Sequence, residues 1–276
     1  MTRILPTAKS VGIYVLVMLG SVVMVFPFLW MILSAFKTAS EVASTPPTFL
    51  PMAPTFDNFV RVFEVAPFAQ YLVNSLVIAF IAVIVTQFTS ILAAYGFSVL
   101  RFPGSDLVFS VLIALMVVPF ELLIITNYAT ITQLHLIDTM PALILPFIVS
   151  AFYTFIIRTT FRSVPRELYW ASRIDGAGNW RYLWKVLVPV SKSTLVTTAL
   201  LNAIASWNAF LWPLLVINTP AHRTIPLGLF AFITDGGVRY EMLMAASTIA
   251  VLPMLILFAL ASNQIVQGIA RGGLKG

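Results

Sequence analysis

Groups able to do chemistry are sparse in this 276-residue chain. Cysteine is absent, which excludes thiolate nucleophiles, disulfides and thiolate metal sites. The two histidines, His135 and His222, are isolated and read as surface residues. Ten acids are scattered, and no apolar run carries a pair of them. An intramembrane enzyme needs paired acids, a histidine cluster or an activated nucleophile on facing helices, so that class fits poorly. What remains are hydrogen-bonding and stacking groups set in apolar surroundings. Asn74, Asn127, Asn202 and Asn208 offer donors and acceptors for hydroxyl groups, and Tyr128 and Trp207 offer faces for a ring. The plainer alternative is packing, with asparagines bonding helix to helix and aromatics belting the interface. Glu121, near one end of its apolar run, suits a structural pair or a gate.

A second group is concentrated. The stretch RELYWASRIDGAGNW, residues 166–180, carries Arg166, Glu167, Arg173 and Asp175 beside the small residues Gly176, Ala177 and Gly178. It sits between two apolar runs.

The elements that must position these groups follow from composition. The chain is 60% hydrophobic and 9% charged, with mean hydropathy +0.98. A soluble domain is about 45–50% apolar and about 25% charged. So much apolar surface cannot be hidden in one soluble core, and the chain reads as an integral membrane protein. Strand periodicity is absent, so helices rather than a barrel satisfy the backbone in lipid. The net charge of +6 is placed beside apolar runs rather than in a basic domain, which argues against nucleic acid as a partner.

Charges punctuate the sequence. None occurs from Ser10 to Phe36, Val65 to Leu100, Thr139 to Ile157, Ser193 to His222 or Met242 to Ala270. Each run reaches the roughly 18–20 residues of a membrane-spanning helix. A sixth run, Leu107 to Thr126, is broken only by Glu121. The expectation is an all-α protein with six spans, near 12–36, 70–98, 106–126, 139–158, 194–217 and 244–267. The first run is too long for a signal-peptide core and reads as a retained span. If both termini lie on one side, that side holds Arg3, Lys9, Arg101, Arg158, Arg162, Arg166, Arg173, Arg181, Lys185, Lys192, Arg271 and Lys275. The other side holds Lys37, Arg61, Arg223 and Arg239. Twelve cations against four put both termini and the 158–192 loop in the cytoplasm. Pro27, Pro119, Pro141, Pro146, Pro213 and Pro253 fall in or near spans. They read first as simple kinks and second as hinges around a path.

The loop from Ser163 to Pro189 is patterned. Ser163 suits a helix cap, with Pro165 in the first turn and Glu167 near the positive helix end. Leu168, Ala171 and Ser172 share a face, with Ile174 beside it. Asp175-Gly176 signals a turn, and Trp180, Leu183, Trp184 and Leu187 line a second helix. Two readings stand level on these grounds: an amphipathic linker lying on anionic lipid, and a surface for docking another protein.

The same residues resemble the cytoplasmic motif of ABC importer permeases, written EAA, three residues, Gly, nine residues, then Ile, any, Leu, Pro. Trp170-Ala171-Ser172 occupies the EAA place, and Gly176 follows at the right spacing. Val186-Leu187-Val188-Pro189 comes nine residues later. The carbohydrate-type branch reads P-x-E-L-x-E-A-A-x-I-D-G-A, which Pro165, Glu167, Leu168, Ala171, Ile174, Asp175, Gly176 and Ala177 match. Asn74-Ser75, Arg101-Phe102-Pro103-Gly104, Val118-Pro119, Trp207-Asn208, Leu211-Trp212-Pro213-Leu214, Arg223-Thr224-Ile225-Pro226 and the tail GIARGGLKG extend the resemblance over nearly the whole chain.

The resemblance implies a single permease domain, 1–276, with a coupling loop at 160–190. It implies a bacterial inner-membrane importer of a sugar or sugar derivative, with a glycerol-phosphate-type solute as the alternative. The implied partners are a second, different permease chain, two ATP-binding subunits and an extracytoplasmic solute-binding protein, all in a lipid bilayer. Arg166, Glu167, Trp170, Ala171, Ser172, Asp175, Gly176 and Ala177 would meet the ATPase. Trp170 stands where the family has Glu, so docking would rely on Glu167 or on apolar contact from Trp170. The chain contains no G-x-x-x-x-G-K-[ST] loop and no Gly-Lys pair at all. ATP and Mg²⁺ would therefore belong to the partner ATPases, with no cofactor in this chain. A passive channel is the rival from another class, and it has no need of a docking loop.

Overall fold

The computed structural model describes residues 8–100, 102–234 and 237–273. Arg3, Arg101 and Lys275, counted above for orientation, fall outside them. Three helices are long and apolar enough to cross a membrane: Gly12–Ala35, Phe68–Leu100 and Tyr240–Leu260. Three bent pairs raise the number to six if each is one span: Ser105–Leu115 with Phe120–Gln133, Met140–Phe147 with Ala151–Ser163, and Asn179–Val190 with Lys192–Trp207. Helices dominate as expected. A two-residue antiparallel pair, Ile233–Thr234 against Gly237–Val238, is an addition the sequence did not announce.

The bends are the main departure from straight spans. The run expected at 106–126 stops as a helix at Leu115 and turns through 91°. Pro119 sits at that break in extended backbone (ψ 140°) and cannot continue the ladder. Pro146 lies in the tight turn Leu145–Phe147 before a 49° bend. Pro189 lies in Val188–Val190, just before an 81° bend. Pro27 and Pro253 remain inside continuous helices. The helices are therefore broken at Pro119 and Pro146, and also at Pro189, not among the prolines the sequence places in or near spans, while Pro27 and Pro253 leave theirs continuous.

The described residues form two compact units. One holds residues up to Pro67 together with Leu229–Leu252. Its first helix, α1 (Ala8–Ala35), is exposed from Gly12 to Leu29 and buried at Ser34 and Ala35. The connection after α1 satisfies its irregular backbone with side chains. Lys37 is 2% exposed; its ammonium donates to the Thr48 carbonyl and lies 4.7 Å from the Trp30 ring centre. Asn58 donates to the Ala35 and Lys37 carbonyls, both at 2.8 Å. The Glu41 carboxylate accepts from the Met52 N–H at 2.6 Å and the Thr48 hydroxyl at 3.2 Å. Phe36 packs between Phe56 and Phe59.

The other unit holds Phe68–Gly228 and the chain from Pro253. Its central helix is α2 (Phe68–Tyr95), which packs on α3 (Ala151–Ser163) and on α5 (Lys192–Trp207). Small residues along α2 allow close approach: Ala79, Ala82, Ser90 and Ala94 are all buried. At one end Ile91, Tyr95, Ile157, Phe161, Leu183 and Leu187 form an apolar core. At the other end Ile78, Leu143, Trp212, Val216 and Leu227 form a second. Gly228 lies so close to α2 that a Cβ there would sit 2.2 Å from the Tyr71 ring.

Candidate functional site

The cytoplasm-assigned loop takes the expected helix, turn, helix form, with a different start. Ser163 ends α3 and donates to the Thr160 carbonyl instead of capping the next helix. Pro165 holds the cap position of α4 (Arg166–Ile174), with Glu167 in its first turn. The buried stripe of α4 also differs. Tyr169 and Ser172 turn inward, whereas Leu168, Trp170, Ala171 and Ile174 face out. Trp170 is 62% exposed and Ile174 87%. Arg166, Glu167 and Asp175 are exposed as well.

The turn is closed from within. Gly176 adopts φ 74°, where a side chain is strained. Its N–H donates to the Arg173 carbonyl at 3.1 Å, and the Ala177 N–H donates to the Ser172 carbonyl at 2.8 Å. This pair of bonds is a Schellman ending, which satisfies carbonyls the helix would leave open. Arg173 binds the Tyr169 hydroxyl, the Ala177 carbonyl and Asn179, tying both sides of the turn together. Beneath it Tyr169 packs edge-on against Tyr182, and Tyr182, Leu183 and Leu187 are buried in the apolar core. The loop is thus tied together from within, and Leu168, Trp170 and Ile174 stand exposed beside Arg166, Glu167 and Asp175.

The polar residues expected along a path divide. Asn202 lines a cavity of about 220 Å³, with Tyr153, Ser206, Trp212 and Thr224 among its other walls. At about 30 Å³ of liquid volume per water, this is space for on the order of seven waters. The Asn202 amide makes only a long bond, 3.4 Å, to the Ala82 carbonyl. The Thr224 hydroxyl is buried with no hydrogen-bond partner among the described residues. The indole N–H of Trp212 donates to the Ala142 carbonyl, so the ring is fixed.

The other candidates lie elsewhere. Asn74 is 2% exposed and holds the 221–223 turn, donating to the Ala221 and Arg223 carbonyls at 2.8 and 2.9 Å. Gln70 donates to its oxygen. That is a structural role. Trp207 is buried beside an apolar groove with Phe80 and Leu257. Glu121, Tyr128 and Asn208 are exposed and Asn127 half-buried, and none lines the cavity. Tyr153, Ser206 and Thr224 were the residues the sequence did not single out for the cavity. Small hydroxyls in apolar runs also serve packing, so their presence alone does not mark a cavity wall.

His222 is not isolated. Its Nδ1 lies 3.5 Å from Asp138 Oδ1. The same oxygen accepts from the backbone N–H groups of Asn218 and Thr219 at 2.9 and 3.0 Å. Asp138 itself sits at φ 61°. Burial pushes its carboxyl upward, but the Thr219 and Asn218 N–H groups outweigh that and hold it below the ordinary carboxylate value.

Comparison with known proteins fits this architecture. Residues 7–271 match the family described as binding-protein-dependent transport system inner membrane component, and the chain belongs to that family. It is an inner-membrane permease subunit of a binding-protein-dependent ABC importer, a transport subunit rather than an enzyme, with no need of its own cofactor. It is 32% identical over 255 residues to the arabinooligosaccharides transport system permease protein AraQ of Halalkalibacterium halodurans, covering 91% of each chain. It is 30% identical to the sn-glycerol-3-phosphate transport system permease protein UgpE of Yersinia pestis, covering 93% of this chain and 94% of that one. A solved bacterial ABC transporter involved in import of the acidic polysaccharide alginate shares the fold. The TM-score is 0.82 at 20% identity, over 95% of this chain and 99% of that one.

Proposed function

We propose that this chain is one half of the translocation path of an ATP-driven importer for a sugar or sugar derivative. It crosses the membrane six times with both termini in the cytoplasm; the pairs Ser105–Leu115 with Phe120–Gln133 and Met140–Phe147 with Ala151–Ser163 each serve as one span, and the run at 194–217 serves as another without Asn179–Val190. Residues 1–276 act as a single permease domain. The loop at 160–190 meets two ATP-binding subunits that supply ATP and Mg²⁺, and a solute-binding protein delivers substrate from the opposite face. A second, different permease completes the path. The observation that carries this is α4 with its Schellman turn, a self-satisfied helix that presents Leu168, Trp170, Ala171 and Ile174 to solvent water. Exposed apolar side chains on a rigid charged loop mark a protein-binding surface. Trp170 replaces the acid of the family motif with apolar contact, and Glu167 remains available for a cation on the ATPase. Rigid transmission through Arg173 and Tyr169 lets ATPase closure move the spans as bodies.

The cavity at Asn202 supports a polyhydroxylated solute, because amide, hydroxyl and aromatic groups converge there in apolar walls. The names of the relatives add sugars and glycerol phosphate to the candidate classes. The test is to tag the chain, extract membranes in mild detergent and identify the chains that co-purify. A second permease with an ATPase subunit is the expected result. Recovery of this chain alone, from a preparation in which a control importer stays whole, overturns the reading.

A further inference from the structure

The second half of the loop points somewhere other than the ATPase. Residues Asn179–Val190 form a helical segment set at 81° to α5. If α5 crosses the bilayer, this segment runs along the membrane surface. Its sides are sorted. Tyr182, Leu183 and Leu187 are buried against the protein. Trp180 and Trp184 stand four residues apart on the neighbouring side, 5.7 Å between ring centres, and Trp184 stacks on Phe88 of α2. Arg181 and Lys185, also four apart, lie on the next side and are exposed. Lys192 is exposed just past the bend. Among the described residues no acid pairs with any of these three cations, whereas Arg158 pairs with Asp106 at 3.1 Å.

We propose that Arg181, Lys185 and Lys192, flanked by Trp180 and Trp184, bind anionic phospholipid headgroups of the cytoplasmic leaflet. Three observations support the choice of a lipid. The segment lies across the span direction, indole rings favour the membrane interface, and unpaired cations beside them complement a negative leaflet surface. The inference rests on the cytoplasmic placement of this loop proposed above. It divides the loop into two faces, with α4 for the ATPase and the Trp180–Lys192 segment for the bilayer.

The test uses the complete complex, purified through a tag on this chain and reconstituted in nanodiscs. Brominated phosphatidylglycerol and brominated phosphatidylcholine are compared as quenchers of tryptophan fluorescence. Stronger quenching by phosphatidylglycerol is expected, and adding salt should erase the excess through screening. In the Arg181→Gln, Lys185→Gln double variant the apparent preference should fall by about five-fold per cation removed, with the ATPase subunits still bound. The salt titration on the unaltered complex keeps the test decisive if the variant fails to assemble. Equal quenching by the two lipids overturns the proposal. So does loss of the ATPase from the double variant, which would make these cations part of the protein interface. Absence of any ATPase from the unaltered preparation is a different result, and it strikes the importer reading itself.

Discussion

The two ends of the unit built on α2 hold themselves together by opposite means. At the Asn74 end, polar side chains pin irregular backbone. Asn74 holds the Ala221 and Arg223 carbonyls, Ser75 accepts from the Ile225 N–H at 2.8 Å, and Asp138 gathers the Asn218 and Thr219 N–H groups. At the Tyr95 end, helices satisfy their own backbone and apolar packing does the rest, with Ile157, Leu183 and Leu187 fully buried. The difference follows from backbone accounting. Turns without a ladder leave donors and acceptors open, and side chains must answer them. A helical loop ended by a Schellman turn leaves few open and can show an apolar face.

This contrast can be broken at single positions. The largest effect is expected at the helical end, where Gly176→Trp should reduce substrate-stimulated ATPase activity of the complex to its basal level. A bulky side chain at φ 74° must reshape the turn that presents α4. Membrane insertion should be unchanged, as judged by protein level in washed membranes. Normal stimulation in that variant would sink the docking assignment. At the polar end, Asn74→Leu removes two buried bonds to carbonyls and should cost about 2–3 kcal/mol, read as a lowered Tm in detergent. Gly228→Ala should cost about 1–3 kcal/mol by the same measurement, because its Cβ meets the Tyr71 ring. Restoring room with Gly228→Ala, Tyr71→Leu should recover part of it.

Asp138 sharpens the contrast through pH. Its carboxyl is held below the ordinary value in the folded chain, so its contribution is complete above that value. It is lost as the pH falls through the lowered folded value. The Tm difference between the native chain and Asp138→Asn should be steady near neutrality and shrink on strong acidification. The smallest effect on stability belongs to Trp170→Ala. At an exposed position the change should stay within about 0.5 kcal/mol while weakening ATPase retention, a split no merely structural tryptophan would give.

Much of the fold was legible because composition and charge placement leave few solutions in lipid. The apolar runs at 12–36, 70–98 and 244–267 correspond to continuous helices, even across Pro27 and Pro253. The run at 106–126 differed because Pro119 sets a right-angle turn that hydropathy cannot register. In the loop, the turn at Gly176 followed from Asp-Gly chemistry, but the inward face did not. Tyr169 points in because Arg173, one helical turn on, and Tyr182 receive it, and Tyr182 lies beyond any local period. The path residues were the least legible. An asparagine in an apolar run announces a buried hydrogen bond without saying whether its partner is a ligand or a carbonyl, and Asn74 proves to hold carbonyls while Asn202 faces a cavity.

Lys37 carries a consequence for how the chain is made. Its bond to the Thr48 carbonyl, its contact with Trp30 and the Asn58 bonds beside it join residues between Trp30 and Asn58. Such short separations let a segment close as soon as it is available, ahead of pairings far apart in sequence. On the orientation proposed above Lys37 lies on the outer side, and the partners in these contacts are all made before the later spans. A fragment ending near Pro67 already contains both the carbonyl and the indole that receive that charge.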